Sequence, residues 1–220
     1  MKKPKFVTGE EAAAMIKDDS TIATIGMTLV SASETILKAI EKRFLETGSP
    51  NHLTLVHSCG QSDRDRGIQH FSHEEMLYRI IGGHWGLQPR MMKLISENKI
   101  LAYCIPQGQF AQLYRSMAGG EPGKITKVGL GTFIDPRIDG GKMNAITKDA
   151  PDIVDVVTID GEEYMRYKPI PLDYCIIRGT YVDEMGNLTT DEEAMQLEVF
   201  SAVMPARNSA AKLSPRQNIK

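Results

Sequence analysis

The chain has 220 residues, with 26 Lys and Arg against 28 Asp and Glu and a net charge of -2. That length suits one α/β domain with a core of its own, and the near-balance of charge excludes the broad basic footprint of a nucleic-acid-binding protein. Three cysteines, Cys59, Cys104 and Cys175, are odd in number and far apart, which excludes a paired disulfide framework and points to reduced thiols. Lys2, Lys3 and Lys5 have no apolar stretch behind them, and no run approaches a membrane span, so a cytoplasmic protein without a membrane partner is expected.

Thr8-Gly-Glu-Glu11 reads as a capping box opening an amphipathic helix over Glu10–Lys17. Thr21–Ile25 follows as a buried strand broken at Gly26, and Ser31-Ala-Ser-Glu34 as a second box opening a helix to Thr47, with Gly48 at its C-terminal stop. Leu53–His57 is the next strand and empties into Ser58-Cys-Gly60. Ser72-His-Glu-Glu75 predicts a short helix, and Arg79–Gly86 an apolar run entering a glycine-rich turn. Pro89 suits the first turn of a helix over Arg90–Asn98. Ile100-Leu-Ala-Tyr-Cys-Ile is then a strand that stops at Pro106, where Gln107-Gly108 launches another helix.

Beyond Gly119 the texture changes. Ile125–Leu130 reads as a strand, and Ile153–Ile159, Asp160-Gly161 and Glu162–Tyr167 form a hairpin, because Asp-Gly accepts the positive φ angles of a type I′ turn. Tyr174–Ile177 is one more buried strand, and Thr190-Asp-Glu-Glu193 is expected to open the final helix before Pro205. The alternation of strand and helix predicts a three-layer α/β/α sandwich with a mixed, largely parallel sheet, the hairpin adding antiparallel strands at one side. Residues 1–208 are expected to form the domain, and residues 209–220, lacking a strand pattern or helix face, a disordered or non-native tail.

Three strand-end loops, at Gly26, Ser58 and Gln107, should lie at one edge of the sheet, rich in neutral donors and suited to an anion or acyl group. They bring no activated nucleophile. Gly82-Gly-His-Trp-Gly86 and Gly129-Leu-Gly131 lack the full dinucleotide spacing. His70 and His73, three residues apart beside Glu74, lack a third well-spaced ligand, so they read as polar surface and no metal is expected. His84 beside Trp85 reads as an interior histidine.

Asp18-Asp-Ser-Thr-Ile-Ala-Thr-Ile-Gly-Met27, Gly82-Gly-His-Trp-Gly86, Pro106-Gln-Gly108, Val128-Gly-Leu-Gly-Thr-Phe-Ile-Asp-Pro-Arg137, Gly140-Gly-Lys-Met-Asn144, Ile177-Arg-Gly-Thr180 and Asp183-Glu-Met-Gly-Asn187 together resemble the first, α-type half of family I coenzyme A transferases, above all the single-chain acetate/propionate enzymes. The resemblance runs from about Thr8 to Asn208. It implies exchange of CoA between short-chain carboxylic acids through an enzyme glutamyl-CoA thioester, with acyl-CoA as substrate and no permanently bound cofactor. The reacting Glu belongs to a second, β-type half, which the resemblance makes a partner, along with a homo-oligomeric assembly. Glu46, Glu121 and Glu184 each precede a glycine by two positions, but none has the catalytic setting, so no catalytic residue is expected in this chain. By resemblance the substrate-side residues are Gln107 and Gly108, Ser58, Cys59 and Gly60, and Gly26 and Met27. Ile25, Met27, Ser31 and Ser33 depart from the usual residues of the first signature.

Two other readings stand beside this one. The isolated chain is an inactive fragment or self-associating binding module, or it is a sugar-phosphate isomerase-like enzyme on the same general fold.

Overall fold

A computed structural model describes residues 4–213, with side chains to residue 209. At its centre is a five-stranded, wholly parallel sheet in the order β4-β3-β2-β1-β8, formed by β1 (Thr21–Thr24), β2 (Leu53–His57), β3 (Leu77–Gly82), β4 (Leu101–Cys104) and β8 (Tyr174–Ile176). These strands are short and apolar on both sides, as a sheet covered on both faces requires. Neighbouring residues face opposite ways: Ile22, Leu55, Ile80 and Ala102 join one apolar cluster, while Ala23, Val56, Ile81 and Tyr103 join the other.

The first face is covered by α1 (Gly9–Met15), α2 (Glu34–Thr47), a 3-10 helix (Gly67–Phe71) and α3 (Pro89–Ser96), which contribute Ala13, Leu37, Ile40, Phe44, Ile68, Phe71, Met91 and Ile95. The second is covered by α4 (Gln107–Gly119) and α6 (Val199–Leu213) through Phe110, Leu113, Tyr114, Val199 and Ala202. Each large aliphatic side chain removed from water in these layers is worth roughly 1.5–3 kcal/mol. The capping box at Thr8 forms as expected: Glu11 N–H donates to Thr8 Oγ1 at 3.2 Å and Thr8 N–H to Glu11 at 2.8 Å.

The hairpin also forms, with Asp160 at φ 50° and Gly161 at φ 81° joining β6 (Val154–Ile159) to β7 (Glu162–Tyr167). Contrary to the expectation that it would add antiparallel strands at one side, it does not extend the central sheet. It pairs instead with β5 (Lys124–Thr126) in a separate antiparallel sheet, order β5-β7-β6. The reason is burial: Val154, Met165 and Tyr167 belong to the second apolar cluster, so the hairpin lies across that face rather than beside its edge. The edge strand β4 is closed by the loop after β5 and by the short α5 (Ala145–Lys148), where Cys104 N–H donates to Gly141 O at 2.7 Å and Ala102 N–H to Thr147 Oγ1 at 2.9 Å.

Other local expectations gave way to tertiary partners. Ser31 does not cap α2; its hydroxyl donates to Met195 O at 2.9 Å, and Glu34 instead accepts from Gly67 N–H at 2.9 Å. No helix follows Ser72, because His73 turns to Glu41 and Glu74 to Lys99. The helix expected from Thr190 begins only at Val199, since Glu192 and Glu193 are engaged by Tyr181 and Arg178. The strand expected over Ile125–Leu130 ends at Thr126, ahead of the positive φ of Gly129. Pro205 lies inside α6, which is described to Leu213; of the segment expected to form a tail, residues 214–220 lie outside the described residues. Among the described residues no helix is long and apolar enough to cross a membrane.

Candidate functional site

The connections after β1, β2 and β3 turn to the first face, whereas those after β4 and β8 lead to helices on the second. At such divergences a parallel sheet leaves a crevice beyond its carboxyl ends. The three expected loops meet there.

Gly83, just past β3, is the point of closest approach. A Cβ at this position would lie 2.3 Å from Ser58 O and 3.4 Å from Gln107 Cα, so only a residue without a side chain lets the β2, β3 and β4 loops converge. The Gln107 amide nitrogen donates to Cys59 Sγ. Ser58 and Cys59 are buried, whereas Gln107 and Gly108 are exposed at the first turn of α4, where backbone N–H groups are free of intrahelical partners. The β1 loop is tied to this group by its backbone: Met27 and Val30 exchange hydrogen bonds of 3.0 and 2.9 Å, and Thr28 N–H donates to Gly60 O at 2.8 Å. Gly26 is buried behind that turn and Met27 half-buried in it. Ser58, Cys59, Gly60, Gln107 and Gly108 are therefore brought together directly, while Gly26 and Met27 border them through Thr28.

Beneath Cys59 lies His57, fully buried at the end of β2. The Trp85 indole N–H donates to its Nε2 at 3.1 Å, so Nδ1 carries the proton and donates to Cys59 O at 2.7 Å. Burial above all lowers the His57 imidazole to about 4, so the ring is neutral at ordinary pH and serves as a strut under the loop. The interior histidine beside Trp85 is thus His57, not His84, which is exposed. Its signal was an indole that needs a buried acceptor.

Glu198, immediately before α6, also reaches the cluster: the Ser58 hydroxyl donates to its Oε2 at 2.9 Å. Sequence reasoning placed this residue inside a helix running from Thr190, which concealed it. Burial pushes the Cys59 thiol up, Ser58 pulls it down, and the Glu198 charge raises it further. Cys59 is consequently a neutral thiol that accepts a hydrogen bond rather than an activated nucleophile. The arrangement can hold and polarise a carbonyl through the Gln107 amide, but supplies no group poised to attack one.

His70 and His73 do not form the polar surface expected of them. His70 is buried between two carboxylates of α2, with Nε2 at 2.8 Å from Glu34 and Nδ1 against Glu41, and His73 Nε2 lies 2.8 Å from Glu41. Among the described residues no group of three or more His, Cys, Asp or Glu is placed to hold a metal ion.

Residues 6–211 match the family model described as Coenzyme A transferase. The chain is 40% identical over 206 residues to caffeate CoA-transferase of Acetobacterium woodii, covering 93% of this chain and 39% of that protein. It is 35% identical over 205 residues to the acetate CoA-transferase YdiF of Escherichia coli strain K12, covering 92% and 38%. A probable coenzyme A transferase subunit alpha of Bacillus subtilis is 25% identical, with 94% of this chain and 81% of that subunit covered. The chain thus spans about two-fifths of the length of the first two relatives. In structure it is similar to the acyl-CoA transferase YdiF of E. coli O157:H7 in a thioester complex with CoA, at TM-score 0.89 and 34% identity, covering 94% of this chain and 44% of that one. With loops, sheet and sequence in agreement over nearly its whole length, the chain belongs to the coenzyme A transferase family.

Proposed function

We propose that the chain is the N-terminal, α-type half of a CoA-transferase that moves CoA between short-chain carboxylic acids, acetate and propionate among them. The observation that carries this reading is the convergence of Gln107, Ser58, Cys59 and Gly60 on Gly83, which presents an amide donor at the mouth of a crevice. The coverage agrees: the chain accounts for about two-fifths of the single-chain relatives but 81% of an α subunit.

In the proposed reaction a Glu carboxylate of a second, β-type half attacks the thioester carbonyl of acyl-CoA. CoA leaves as thiolate and an acyl-glutamyl anhydride forms. The thiolate then attacks the glutamyl carbonyl, the first acid departs as carboxylate, and the enzyme glutamyl-CoA thioester transfers CoA to the second acid by the reverse steps. Gln107 and the free N–H groups around it hold the acyl oxygen as negative charge develops there. No residue of this chain bonds covalently to substrate, and no permanent cofactor is required. The working assembly is a cytoplasmic homo-oligomer completed by the second half.

The test is CoA transfer from acetyl-CoA to propionate by the chain alone and with a complementing second half. Activity is expected only in the completed enzyme, where Gln107→Ala should lower kcat about 100-fold with a much smaller change in KM. Activity of the chain alone, or an unchanged kcat, would refute the assignment. A second reading, self-association of the isolated chain, is favoured by Phe200 and Met204, which are 49% and 46% exposed and lie one turn apart on α6; a monomer in sedimentation would exclude it. The isomerase reading needs an internal acid/base, whereas His57 is held neutral and Cys59 is a buried thiol.

A further inference from the structure

Glu198 brings a carboxylate to the loop cluster that the proposed reaction does not use. It is held in place by its own backbone: its carbonyl accepts from Ala202 N–H at 2.9 Å and from the Ser201 hydroxyl at 3.1 Å, so the side chain projects from the fixed first turn of α6. Its charge raises the Tyr114 phenol of α4 and the Cys59 thiol, and Cys175 of β8 lies close to Tyr114. Burial pushes Cys175 up to about 12 and Tyr114 well above its ordinary value, so both neighbours are uncharged.

The Ser58 hydroxyl has one proton and two acceptors within reach, Glu198 Oε2 at 2.9 Å and Cys59 Sγ at 3.8 Å. A carboxylate oxygen at the shorter distance is the stronger acceptor, since charge-assisted hydrogen bonds are roughly twice as strong as neutral ones and sulfur accepts weakly. While Glu198 holds that proton, the sulfur is left to the Gln107 amide. One fixed N–H sets the plane of the amide and hence the direction of the other.

We propose that Glu198 is a positioning residue, which commits the Ser58 hydroxyl to itself and so reserves Cys59 Sγ for Gln107. Its catalytic consequence rests on the role of Gln107 given above, but the hydrogen-bond selection does not, and it can be read in this chain alone. Without an acceptor at position 198, the hydroxyl turns to the sulfur, competes with Gln107 and stabilises the thiolate.

The experiment is a 13C NMR titration of the Cys59 Cβ signal, assigned against Cys59→Ser, as a function of pH, with folding checked by circular dichroism. Ser58→Ala is placed in three backgrounds: the unaltered chain, Glu198→Gln, which keeps an acceptor, and Glu198→Ala, which removes it. In the first two backgrounds Ser58→Ala is expected to move the profile up only slightly, since the hydroxyl reaches the sulfur from 3.8 Å while residue 198 holds its proton. In the third it should move the profile up by about half a pH unit more, because only there is the hydroxyl free to turn fully to the sulfur. An equal shift in all three backgrounds overturns the proposal. Should Glu198→Ala fail to fold, a shift of about half a pH unit or more caused by Ser58→Ala in either of the other two backgrounds still overturns it. If the selection holds while the completed enzyme proves indifferent to Gln107, the functional reading fails and the positioning stands.

Discussion

Two histidines, one at the end of β2 and one on the connection from β2 to β3, are buried in opposite ways. His57 sits between an indole N–H and a carbonyl, one donor and one acceptor, which suits a neutral ring. His70 sits between Glu34 and Glu41, two acceptors, and couples the 3-10 helix to α2 through both ring nitrogens. Burial works to raise the Glu41 carboxyl, but hydrogen bonds from His73 and His70 outweigh it and hold it below its usual value. The same side chain thus supports the site loop through a neutral strut at one end and anchors the far end of the connection through a clamp between two carboxylates at the other. What a buried histidine does is set by its partners' donors and acceptors, not by its burial.

Three measurements test that contrast. The largest effect is expected from His70→Ala, which leaves two carboxylates facing a vacated, largely buried space; loss of about 3–5 kcal/mol in urea unfolding is expected, and a loss below about 1 kcal/mol would mean that the clamp adds little to stability.

Next comes the pH dependence due to His57. Its folded value of about 4 lies below the ordinary 6.5, so the unfolded chain takes up a proton that the folded chain refuses. Stability contributed by the neutral ring is complete above about pH 6.5 and is lost as pH falls toward 4, by about 3 kcal/mol. Replacement by Gln should flatten the unfolding midpoint across that window, and a slope unchanged by the substitution would contradict the neutral strut. The smallest effect is expected from Arg90→Ala. Arg90 lies 3.9 Å from Glu41 and is 45% exposed, so a change within about 0.5 kcal/mol should show that the rings, not the outer arginine, hold the clamp.

The parts of the fold that could be read in advance are those in which neighbours in sequence are also partners in space. Asp160-Gly161 makes its turn from its own φ angles, Thr8 and Glu11 cap each other, and Pro106 ends a strand whose next residue opens α4. Ser31, Ser72 and Thr190 carry the same Ser/Thr-x-x-Glu pattern as Thr8 yet do not cap, because Glu34, His73 and Glu193 find partners far along the chain. The separate small sheet was hidden for the same reason, since β7 pairs with β5 from the other side of a long loop. At the site, Gln107, Ser58 and Cys59 could be placed from strand ends. Glu198 and the Trp85–His57 bond could not, because each depends on contact between elements far apart in sequence.

Glu34 stands one residue past the N-cap of α2, where the β1 loop ends, and its carboxylate also receives Gly67 N–H and His70, where the β2 loop ends. At the mouth the same two loops are joined by Thr28 N–H and Gly60 O. Stapled at both ends, they form a closed frame rather than two independent flaps. A ligand that displaces one must therefore carry the other with it, so adjustment at this wall of the crevice is confined to movement of the pair as a single body.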